Sequence, residues 1–141
     1  MTKKDLVGKE ELKTLDMREA NGYNITEFDV VKKALLEDGK YRKDLLYRGF
    51  DGRKISRLLK TGQDTNSEFL FCYTESQIEG PYAVGSEANI FGYAYGHPIP
   101  AVAVFDPLQL ESDQPVGEFA YKFKNPDKKL EALVAVYKLK Y

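Results

Sequence analysis

The stretch LLYRGFDGRKISRLLKTG, Leu45 to Gly62, decides how the chain is read. It opens as an apolar strand, turns at a tight polar segment, and continues as a short amphipathic helix that Gly62 ends. The anomaly is Arg48, a permanent charge between Tyr47 and Gly49 in a run that otherwise looks like core. An Arg is almost never fully buried without a partner. At a strand end it can aim its fork into a cleft, and Gly49 beside it lets backbone approach a ligand closely. A guanidinium so placed suits a phosphate or a carboxylate, bidentately. The alternative is a strand-edge Arg paired with a surface acid such as Asp51.

Outward from this stretch, the chain divides into helices first and then mostly strands. Residues 1 to 20 are charge-rich, with apolar residues at weak helical spacing, and Asn21-Gly22 signals a turn. NITEFDVVKKALLEDGK predicts a helix with Ile25, Phe28, Val31, Ala34 and Leu35 on one face. Asn24 or Thr26 caps its start and Gly39 stops it. Strands are expected at Leu45 to Phe50, Phe69 to Thr74, Ile99 to Phe105, Glu118 to Phe123 and Leu130 to Lys140. A short helix is expected within SEANIFGYAYG. The last strand, LEALVAVYKL, is apolar on both alternating faces and belongs inside a sheet. This order predicts an α+β fold. The 141 residues suffice for one domain, with residues 1–42 as a helical N-terminal region and residues 45–141 as a β-rich core.

Composition narrows the chemistry. A formal net charge of −1 gives no electrostatic reason to expect nucleic acid or an anionic membrane as partner. No run approaches the roughly 18 apolar residues of a spanning helix, and MTKKDLVGKEELKTLD lacks the apolar centre of a signal peptide. A cytoplasmic protein is expected, with delivery as an effector left open. A single cysteine, Cys72, and a single histidine, His97, exclude an internal disulfide and any cage of several cysteines or histidines, so no metal is expected. Cys72 reads as a small core residue, and His97, before Pro98, as part of a turn.

Two further segments can carry chemistry. FLFCYTES, Phe69 to Ser76, is an apolar strand running into Thr74, Glu75 and Ser76. Its hydroxyls can orient a charged group or bond a ligand, and they can equally cap the next helix. VGEFAYKF, Val116 to Phe123, alternates so that Glu118, Ala120 and Lys122 share one face. Glu118 stands at the strand mouth, where a carboxylate can stabilise developing positive charge or accept a proton. The alternative for Glu118 is a solvated edge charge.

In this order, the Arg-Gly strand, the hydroxyl-ended strand and the Glu-led strand resemble the ADP-ribosyltransferase fold, more closely its branch with Arg, Ser-Thr-Ser and Glu motifs. The likeness spans about Leu45 to Tyr141 and implies N-terminal helices plus a mixed or antiparallel β-core. It implies that Arg48 contacts a phosphate or ribose of NAD, that Gly49 lets backbone meet the nicotinamide amide, and that Thr74 and Ser76 brace the site. Glu118 would hold the ribose hydroxyl and face the oxocarbenium-like centre as nicotinamide departs. Tyr82, Phe91 and Tyr95 are the candidates for stacking on nicotinamide. NAD is then a substrate and the expected acceptor a protein. The second motif departs from Ser-x-Ser as Thr74-Glu75-Ser76, and Val116 stands where the arginine-modifying branch has Gln or Glu. The acceptor therefore stays open among a side chain other than arginine, a nucleic acid end, a small molecule and water. A catalytically inactive domain on the same fold, kept as a binding module, is the second expectation. An unrelated small α+β interaction protein is the third.

Overall fold

The structure, a computed structural model, describes residues 12–22, 26–67, 69–79, 90–91, 93–111 and 119–141. It is mixed α+β, as the order of helical and strand periodicities predicts. Among the described residues, one sheet has the order β1 (Thr14–Asp16), β7 (Leu133–Lys140), β5 (Pro100–Phe105), β2 (Leu46–Asp51) and β4 (Tyr73–Thr74). The β1–β7 pair is parallel and the others antiparallel. A second, two-stranded sheet pairs β3 (Phe69–Phe71) with β6 (Ala120–Lys122).

Alternation along β2 sorts the core into two layers. Tyr47 faces one side, with Val102 and Val104 of β5 and with Phe28, Val31 and Leu35 of helix α2 (Glu27–Glu37). Leu46 and Phe50 face the other, with Leu70 and Tyr121 of the second sheet and Leu58 of helix α3 (Ile55–Thr61). Arg48 shares the parity of Leu46 and Phe50, so its side chain leaves the first sheet towards the second. Gly49 faces the helical layer.

Helix α2 forms because its apolar residues recur at three and four. Thr26 starts it with a capping box: its Oγ1 accepts from Asp29 N–H while the Asp29 carboxylate accepts from Thr26 N–H. Thr26→Ala is expected to cost about 1 kcal/mol, read as a lower urea midpoint at unchanged slope. The helix ends at Glu37, and Gly39 follows with φ 68, a left-handed value that favours glycine. Helix α3 ends the same way at Gly62, φ 84.

Four expectations are corrected. The weak helical spacing before Ala20 gives way to strand β1 at Thr14–Asp16, with Leu15 buried, because the outer edge of β7 takes it as a parallel partner. Residues 1–11 lie outside the described residues. Asn21-Gly22 does not form a separate turn but ends a short helix, α1 (Arg18–Gly22). The strand expected from Leu130 begins only at Leu133. Asn125 accepts from Asp127 N–H and, with Pro126 in the first turn, winds Pro126–Ala132 into 3-10 turns. The strand expected over Phe69 to Thr74 is broken at Cys72, so β3 pairs with β6 while β4 pairs with β2. One segment thereby joins the two sheets. The expected strand from Glu118 is described from Ala120; Phe119 before it has φ 60. In SEANIFGYAYG, helical backbone is described at Ile90–Phe91 and in α5 (Tyr93–Tyr95), while Ser86 to Asn89 lie outside the described residues. The last strand lies inside its sheet, between β1 and β5, as its two apolar faces require.

Among the described residues, no helix is long and apolar enough to cross a membrane.

Candidate functional site

The break at Cys72 creates the corner where the chemistry-bearing segments meet. Arg48, 16% exposed, sends its guanidinium from β2 towards this corner. Its Nε donates to Asp64 Oδ1 at 2.9 Å, its Nη2 to Asp64 Oδ2 at 3.0 Å and its Nη1 to the Phe71 carbonyl at 3.1 Å. This is the bidentate fork-to-carboxylate arrangement, with both partners largely buried. From the other side of the same two residues, Cys72 N–H donates to the Phe119 carbonyl at 3.0 Å. The rings of Tyr73 and Phe119 stack there at 4.3 Å, tilted by 33°. Arg48, the segment FLFCYTES and Phe119 of VGEFAYKF therefore share one backbone junction.

The partner of Arg48 is Asp64 and not Asp51. Positions 48 and 51 differ by an odd number along β2, so their side chains leave on opposite faces. Asp51 instead caps the turn after β2 and binds Arg53, whose hydrogen bonds hold its carboxyl at a pKa of about 2; His97 Nδ1 lies 3.7 Å away. Asp64 carried no strand or helix signal in TGQDTNSE. The only cue was the need of a buried guanidinium for a carboxylate somewhere in the chain.

The other expected site residues are distributed unequally. Gly49 lies beside Arg48, and the space a side chain would fill is taken by the Ile90 backbone, whose carbonyl oxygen is 1.8 Å from an ideal Cβ. Thr74 caps helix α4 (Glu75–Glu79). Its Oγ1 accepts from Gln77 N–H at 3.1 Å, and its own N–H donates to Gln77 Oε1 at 2.8 Å. Ser76 is exposed on that helix. Thr74→Val is thus expected to cost about 1 kcal/mol by denaturant titration and Ser76→Ala less than about 0.5. Equal losses would contradict the cap. Phe91 is buried in the helical layer and Tyr95 is 62% exposed, edge-on to Tyr141 at 4.7 Å. Glu118 and Tyr82 lie outside the described residues.

Glu75, between Thr74 and Ser76, is buried. It accepts from Tyr41 Oη at 2.6 Å and pairs with Lys32 Nζ of α2 at 3.3 Å. Burial, with the Glu75 carboxylate beside it, pushes the Tyr41 phenol up. Glu75 therefore ties the end of FLFCYTES to helix α2. Cys72 is fully buried, and burial pushes its thiol far up, only partly offset by Arg48, so it is no nucleophile.

Comparison of the chain with family models, with curated proteins and with solved structures finds no match.

Proposed function

We propose that the chain binds NAD at the Arg48 corner and transfers its ADP-ribose to an acceptor, with a protein side chain as the expected class and water as the acceptor in simple NAD hydrolysis. The observation that carries this reading is the shared junction: Arg48 Nη1 on the Phe71 carbonyl and the Phe119 carbonyl on Cys72 N–H. Three segments far apart in sequence, each singled out for its likeness to an ADP-ribosyltransferase motif, meet at adjacent residues.

In this reading Arg48 supplies the positive charge for the dinucleotide's phosphates. Three of its five N–H groups are spent on Asp64 and Phe71 among the described residues, which leaves donors for an anion while Asp64 keeps the fork oriented. Glu118, next to Phe119, supplies the carboxylate that holds the ribose hydroxyl and faces the glycosyl carbon. The C1′–N bond breaks, nicotinamide departs with the bonding pair as a neutral molecule, and the acceptor attacks C1′ and gives up a proton. A carboxylate aimed at the developing cation is expected to supply the largest part of the rate.

The test is nicotinamide release from NAD by the full chain. Wild type should release it, and Glu118→Ala should slow release by about 100-fold or more with NAD affinity retained. A folded wild type that neither binds NAD nor releases nicotinamide would overturn the proposal.

A second reading is favoured by the same Arg48–Asp64 pair. A fork already bound by a buried carboxylate, together with a Thr74 committed to capping, fits a domain that keeps the fold as a binding module without turnover. A folded chain that releases no nicotinamide from NAD is the result that reading expects.

A further inference from the structure

At the other end of the β3–β6 ribbon, away from Phe119, lies a cavity of about 290 Å³ lined by Glu111, Lys122, Phe123, Lys124, Pro126 and Lys129. This is near the lower end of the range for small-ligand pockets, roughly 300–1,000 Å³. Among the described residues, three lysines and one glutamate line it, a net of two positive charges in a chain whose overall charge is −1.

The fold holds two of these lysines in place. Lys129 Nζ donates to Gln63 Oε1 at 2.7 Å and stands 5.3 Å from the centre of the Phe123 ring. Gln63 is itself buried, and its Nε2 donates to the Phe69 carbonyl at 2.9 Å, which fixes the amide so that its oxygen meets Lys129. Lys122 Nζ stands 5.9 Å from the centre of the Phe69 ring. Lys124 is exposed at the mouth, its backbone N–H held by the Gln109 carbonyl. Glu111 sits across from Lys122, its N–H on the Lys122 carbonyl at 2.8 Å. Cations resting on aromatic faces and a buried amide lose less freedom on binding than lysines waving in solvent.

We propose that this cavity is a binding site for the dianionic phosphate of a small phosphate monoester. The two net positive charges of the described lining match the charge of such a group, and among the described residues Lys129 keeps two N–H donors beyond the one given to Gln63. Lys122 and Lys124 line it from β6 and the residues just after it, and Lys129 lines it from the 3-10 turns. Glu111 opposes a more highly charged ligand. The site is separate from the Arg48 corner and does not depend on the NAD reading.

The test is a titration of the full chain, at constant ionic strength, with AMP and with inorganic phosphate, followed by amide NMR shifts. Saturable shifts at Glu111 and at residues 122–129 are expected with AMP. Lys124→Gln should weaken binding at least tenfold, Lys129→Gln at least as much, and Lys128→Gln less than twofold. Lys124 is exposed, so its variant should keep the wild-type fold, checked by circular dichroism. Inorganic phosphate producing the same shifts with equal affinity would locate recognition in the phosphate alone. Tighter AMP binding would add contacts from the esterified group. No saturable shift, equal displacement by chloride, or binding only of a 5′-phosphorylated oligonucleotide would overturn the proposal.

Discussion

Gly49→Ala is expected to destabilise the protein by about 3 kcal/mol or more, at the upper end of what overpacking costs. The added Cβ would stand 1.8 Å from the Ile90 oxygen and 2.6 Å from the Ile90 carbonyl carbon, and both are backbone atoms. No side-chain rotation relieves that clash, so the segment carrying Ile90 and Phe91 must move off β2. Ile90 and Phe91 are both buried in the helical layer, and their displacement opens that layer above Tyr47. Gly39→Ala is the contrast. Nothing lies within 4 Å of a Cβ there, and only the left-handed backbone, φ 68, opposes the change, a cost of about 1 kcal/mol. Urea denaturation of the two variants separates the effects. A Gly49→Ala protein no less stable than Gly39→Ala would mean that the Ile90 segment does not rest on β2.

Asp64→Ala is expected to cost roughly 3–5 kcal/mol, because it strands the Arg48 guanidinium between the two sheets without its carboxylate. Arg48 is 16% exposed at the side chain and Asp64 is 6% exposed, so water recovers little of the lost interaction. Arg48→Met should be costly for the mirror reason. Joining Arg48→Met with Asp64→Leu removes both charges, and the double variant should recover much of the stability. The cycle should therefore yield a coupling of more than about 1 kcal/mol. Additive losses would show that Arg48 and Asp64 do not act as a pair. The cycle also bears on function. A double variant that is stable yet unable to bind NAD would assign Arg48 to the ligand as well as to Asp64.

Helix α2 was legible because its apolar spacing, its Thr26 cap and its Gly39 stop agree with one another. Strand β7 was legible in its interior, where both faces are apolar, but its start was displaced by the Asn125-Pro126 turn. Strand β1 was not legible. Its three residues are extended because the edge of β7 is there to pair with, which is a tertiary cause. The anomaly of Arg48 was visible in sequence, and its need for a partner followed from burial. That the partner is Asp64 was not, since a loop carboxylate 16 residues away carries no periodic signal. A hydroxyl at Thr74 suits both a ligand and a helix cap, and its hydrogen bonds are those of the cap. The Tyr73–Phe119 ring pair was missed because it depends on the break at Cys72, which brings two sheets to one corner.

NAD binding at the Arg48 corner is the step of the proposed function on which the others depend. The most direct measurement is a titration of NAD into the isotopically labelled full chain, followed through the backbone amides. Saturable shifts are expected at Arg48, at Phe71 to Thr74 and at Phe119 to Ala120, with their loss in a folded Arg48→Met/Asp64→Leu protein. Saturation that leaves those amides unmoved, or no response to NAD at all from the folded chain, would contradict it.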